Sequence, residues 1–75
     1  MKEYNGYRSW NGWNVALWIS NSEPMYSWAY DLVQQYGKRK AARIMMRDIG
    51  DRGYTPDGAI YNRLSVYNAL DGMND

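Results

Sequence analysis

Apolar positions in this chain change their spacing at glycine and proline, and that punctuation divides it into four pieces. The first runs from Trp10 to about Ser20 behind Ser9, a natural N-cap. At about 100° per residue, Trp13, Ala16 and Leu17 lie on one side of such a helix. Val15, Trp18 and Ile19 cover much of the other side, leaving Asn11, Asn14 and Asn21 as a polar edge. A short helix apolar nearly all round is the most buried element of a domain. Gly12 costs its first turn about 1 kcal/mol relative to alanine, which sets the onset of regular helix between Trp10 and Trp13. A strand over 14–19 is the weaker reading, because its apolar residues do not alternate strictly.

The second piece carries the strongest pattern. Asn21-Ser22-Glu23-Pro24 supplies a cap, an acid and a first-turn proline in order. Met25, Trp28, Ala29, Leu32, Val33 and Tyr36 then recur at helical spacing up to the stop at Gly37. A third helix is expected from Lys38 to about Asp48. It sets Ala42, Met45, Met46 and Ile49 on one face and an Arg39, Arg43, Arg47 row opposite, with Lys40 beside it. Gly50 and Gly53 end it. Thr55-Pro56-Asp57-Gly58 reads as a type I turn, with proline second and glycine fourth. The same letters also fit an N-cap with proline at the first helical position. After the turn, an irregular Ala59–Arg63 leads to a last helix from about Leu64 to Met73, with Val66, Ala69, Leu70 and Met73 inward. The expected fold is all-α: one small domain, 1–75, of three to four short helices with an aromatic N-terminal arm.

Composition changes this picture in one respect. Seventy-five residues without cysteine or histidine have neither a disulfide nor a Cys/His zinc site to staple them. Four Trp and eight Tyr are therefore the expected bulk of the core, at about 150–250 Å² buried per ring. Phe is absent, so every ring carries a polar tip and suits a half-buried or interfacial position equally well.

Charge adds little in sum and more in distribution. The net charge is +1, but residues 38–52 set six cations against Asp48 and Asp51. The basic row on the third helix reads first as a solvated face, then as a contact for an acidic protein surface, then as a phosphate-binding stripe. Asp48 and Asp51 read as a solvated helix end beside Arg47 and Arg52 rather than as a carboxylate pair.

Without histidine or cysteine, the commonest general base, the thiolate nucleophile and the usual zinc ligands are missing. No phosphate loop, dinucleotide fingerprint or nucleophile elbow occurs. The expectation is a non-enzymatic protein with no cofactor and no metal. Met1-Lys2-Glu3-Tyr4-Asn5 is polar, and Val15–Ile19 is far too short to span a bilayer, so the expected setting is cytoplasmic, without a membrane.

The N-terminal block repeats itself: Tyr4-Asn5-Gly6-Tyr7 returns as Trp10-Asn11-Gly12-Trp13. A sugar platform of Tyr4, Tyr7, Trp10 and Trp13 is a weak reading without an all-β pattern. Trp13 and Trp18 are assigned to the core, the asparagines to structural hydrogen bonds, and Tyr4–Tyr7 to a contact arm on the surface.

The block Asn5–Asn21 resembles a family of small proteins encoded by bacteriophages, plasmids and other mobile elements. The resemblance rests on Gly6-Tyr7, Trp10, Trp13-Asn14-Val15, Leu17-Trp18-Ile19 and Asn21, and more weakly on Thr55–Asn62. It implies a mobile-element setting in a bacterial host and no enzyme activity. In that setting the chain reads as a protein-binding module, an inhibitor of a bacterial defence complex (anti-CRISPR-like). Its anchors are drawn from Tyr4, Tyr7, Trp10, Tyr26, Tyr30 and Tyr54, with charge from Arg39, Lys40, Arg43 and Arg47. The expected partner is a host protein or a protein–nucleic acid complex such as a CRISPR effector. The alternative is direct nucleic-acid binding by the third helix, and a third reading is a homodimer joined through exposed aromatics.

Overall fold

The computed structural model describes Tyr7, residues 9–50 and residues 53–73. Among them are four helices and no strand: α1 (Trp10–Asn21), α2 (Glu23–Tyr36), α3 (Lys38–Ile49) and α4 (Arg63–Met73). The domain is all-α, as the periodicity requires.

Each helix start has a local cause. Ser9 caps α1, its Oγ accepting from the Gly12 N–H at 3.0 Å, and its carbonyl accepts from Trp13 N–H. That cap carries regular helix back to Trp10 despite Gly12. Ser22 precedes α2 without a side-chain capping bond, leaving Glu23 and Pro24 as the start signal. Gly37 separates α2 from α3, and Gly50 closes α3. Before α4, Asn62 and Ser65 cap each other: Ser65 N–H donates to Asn62 Oδ1 at 2.8 Å and Asn62 N–H to Ser65 Oγ at 3.1 Å. This reciprocal box starts the helix at Arg63, ahead of the expected Leu64.

The helices close a ring. α1 packs on α4, α4 on α3, α3 on α2 and α2 on α1, while α1 and α3 do not touch. The core inside is aliphatic. It holds Val15, Ile19, Val33, Met45, Val66 and Leu70 with a set of alanines (16, 29, 41, 42, 59 and 69). Each fully buried large aliphatic side chain contributes about 1.5–3 kcal/mol.

This corrects the expectation that the rings form the core. Of the described aromatic residues, Tyr61 alone is buried. Trp13 and Trp18, assigned to the core, are only half-buried, and Tyr36, placed on the inner face of α2, is exposed. The physical reason lies in the alanines. Small residues at the contact lines let helices approach closely and leave little space for indoles, so most of the rings lie around the core rather than in it. Trp28 and Tyr67 pack against its rim. Burial raises the pKa of the Tyr61 phenol, whose hydroxyl lies 4.0 Å from Met25 Sδ.

Candidate functional site

One face of α1 holds a loop in place. Asn11, Asn14 and Trp18 are spaced three and four apart, so they line up along the helix. Opposite them, residues 53–61 double back. Gly58 N–H donates to the Thr55 carbonyl at 2.9 Å, and Tyr54 and Ile60 form an isolated antiparallel bridge. The Thr55–Gly58 turn is present as read, and Gly58, at φ +95°, takes a backbone conformation costly for any other residue.

The side-chain amides of α1 read this loop closely. Asn11 Nδ2 donates to the Ile60 carbonyl at 2.9 Å, and Ile60 N–H donates to Asn11 Oδ1 at 2.7 Å. Asn14 is 1% exposed and uses both ends of its amide. Its Nδ2 donates to Asp57 Oδ2 at 2.9 Å, and its Oδ1 accepts from the Thr55 hydroxyl at 2.6 Å. The Thr55 hydroxyl in turn accepts from Ala59 N–H at 2.9 Å, which fixes the direction of every bond in the chain. Trp18 Nε1 donates to the same Asp57 oxygen at 3.0 Å. The Asn14 bond, then that of Trp18, holds the Asp57 carboxyl below its ordinary value of 3.8, with burial acting weakly the other way.

Chemically, this cluster is closed. No buried side-chain nitrogen or oxygen among the described residues lacks a partner, and no three acidic residues gather there as metal ligands. A carboxylate already holding two donors is a weak base, so the cluster serves the fold. The structural role read for these asparagines stands, with Asn11-Gly12 inside the first turn of α1.

The described residues singled out as partner-binding are spread over Tyr7, α1, α2, α3 and the 53–61 loop. Trp10, Tyr26, Tyr30 and Tyr54 are exposed, Tyr54 most of all at 62%. Tyr26 and Tyr30 stack along α2, with centroids 6.3 Å apart. Lys40 sits 5.1 Å over the Tyr36 ring, joining the end of α2 to α3. Arg39, Arg43 and Arg47 are exposed on α3, and no carboxylate among the described residues pairs with them. Tyr7 departs from the expected surface arm: it is half-buried against the core, its hydroxyl against Gly72, where an added Cβ would meet it at 2.7 Å. Tyr4 lies outside the described residues.

Sequence reading passed over a second group. Arg63, Leu64 and Tyr67 on α4 meet Arg39 and Ala42 on α3 around an open cavity of about 440 Å³. Leu64 is 70% exposed. The family model for the Family of unknown function DUF7249 matches residues 1–75. The chain belongs to DUF7249. No curated protein and no solved structure matches it. For a DUF7249 chain, then, function has to be argued from this surface. No described helix is long and apolar enough to cross a membrane.

Proposed function

We propose that the chain is a non-enzymatic protein-binding module of a mobile genetic element that inhibits a bacterial defence complex, in the manner of an anti-CRISPR protein. The observation that carries this reading is the division of labour between aliphatic and aromatic residues. Alanine, valine, isoleucine and leucine fill the core, so Trp10, Tyr26, Tyr30, Tyr36 and Tyr54 are left on the surface. Amphipathic rings of this kind, set among arginines, are the side chains that anchor protein interfaces. The row Arg39, Arg43, Arg47, which pairs with no carboxylate among the described residues, supplies charge for steering and register. Its host partner is a protein or protein–nucleic acid complex in the cytoplasm.

The test is interference in a host carrying an active CRISPR system. Expression of the chain should restore plaque formation by a targeted phage, and the tagged chain should recover the effector subunits. Unaltered interference with no effector recovered would sink the proposal. Nucleic-acid binding by α3 predicts instead a steep loss of affinity with salt on bare oligonucleotide probes. A homodimer predicts a sedimentation coefficient that rises with concentration.

A further inference from the structure

The hollow between α3 and α4 differs from the other exposed features, because charge and apolar surface meet there in one concave place. Its lining is Arg39 and Ala42 from α3, with Arg63, Leu64 and Tyr67 from α4. Two guanidiniums thus flank an aliphatic and aromatic floor. The nearest acid on α4, Asp71, is committed to Lys38 at 2.7 Å, so it does not neutralise either arginine. No carboxylate among the described residues pairs with Arg39 or Arg63. The volume, about 440 Å³, lies within the range of clefts that hold ligands.

We infer that this hollow receives an acidic segment of the partner protein, an aliphatic side chain seated on Ala42, Leu64 and Tyr67 with carboxylates on either side. The inference rests on the protein-binding reading and specifies its partner chemistry. Arginine suits the role because its planar fork takes a carboxylate in two parallel bonds. A nucleic-acid backbone fits less well. It would satisfy the guanidiniums but leave Leu64 uncovered, and the chain lacks the cationic excess typical of such binders. Leu64 also forms the ridge to a second hollow of about 250 Å³, lined by the neutral groups of Ser9, Asn11, Asn62 and Asn68. Among the described residues, a segment crossing that ridge therefore meets arginine on one side only, which fixes its direction.

The probe is a fluorescein-labelled peptide of alternating glutamate and leucine, with its lysine–leucine counterpart as control, titrated into the full chain. The acidic peptide should bind, and backbone amide shifts should concentrate at Ala42, Arg63, Leu64 and Tyr67. R39E/R63E should weaken it about tenfold and should now take the lysine peptide. The gain of the lysine peptide keeps the test meaningful, since an unfolded variant would bind neither. Equal binding of both peptides by the parent chain would overturn the inference, as would an unchanged affinity in R39E/R63E. So would displacement of the peptide from these residues by a single-stranded oligonucleotide. Restored plaque formation without peptide binding would remove this inference and leave the proposed function standing. Peptide binding without any effect on interference would do the reverse.

Discussion

The α1–loop face and the α3–α4 face use polar groups to opposite ends. On the first, the side chains of Asn11, Asn14, Thr55 and Trp18 are tied to one another, to Asp57 and to the loop backbone. On the second, Arg39 and Arg63 stand beside an exposed leucine without a carboxylate partner among the described residues. A small domain with no disulfide has little stability to spare, and it concentrates its polar cross-links on one side. On the other side α3 and α4 are joined by packing and the Lys38–Asp71 ion pair, and the hollow at Arg39 and Arg63 is open to an external partner.

The sharpest way to break this contrast is Asn14→Ala. It strips the Thr55 hydroxyl and the Asp57 carboxylate of a buried partner and opens a small void, at a cost of about 2–3 kcal/mol. In a domain of this size the melting temperature should fall by roughly 10–20 °C, read by circular dichroism. A shift of under about 2 °C would mean that water replaces the amide and that the cluster is not a clamp.

Acid should probe the same cluster. Because the folded-state pKa of Asp57 is depressed, its contribution is fully present above the ordinary value of 3.8 and disappears as pH falls through the lower folded value. The parent chain should therefore lose its stability advantage over Asp57→Asn below that point, with the two urea midpoints converging. Parallel curves from neutral to strongly acidic pH would remove Asp57 as the source.

The smallest effect is expected on the opposite face. Arg39→Ala with Arg63→Ala should leave stability within about 0.5 kcal/mol, because neither guanidinium holds anything in the fold. A loss comparable to that of Asn14→Ala in chemical denaturation would erase the distinction between the two faces.

What the sequence revealed follows the range of the interactions involved. Helix periodicity is local, so α2, α3 and the inner face Val66, Ala69, Leu70 could be read directly, as could the Thr55–Gly58 turn and the Ser9 cap. The Asn62–Ser65 box is local too, but it straddles the boundary between the irregular 59–63 and the expected last helix. The allocation of rings between core and surface was not legible, because it depends on how closely alanine lines let helices approach. Tyr7 shows the same point: its place is set by Gly72, far along the chain. The hollow at Arg39 and Arg63 needed the packing of α3 on α4, which no one-dimensional spacing encodes. Leu64 gave one overlooked signal, an apolar residue off the inner stripe of α4.

The hydrogen bonds from α1 to the loop cross 39, 41, 43 and 49 positions of the chain. During synthesis, α1 emerges long before Thr55, Asp57 and Ile60 exist to meet its amides. Its polar edge must therefore wait in water while α2 and α3 form from neighbouring residues, and the latch on α1 closes late. Such late-forming bonds govern how fast a protein comes apart rather than how fast it assembles. In a chevron experiment Asn14→Ala should accordingly raise the unfolding rate and leave the refolding arm nearly in place. Asn11 and Asn14 of α1 then set the lifetime of the folded state more than the speed of reaching it.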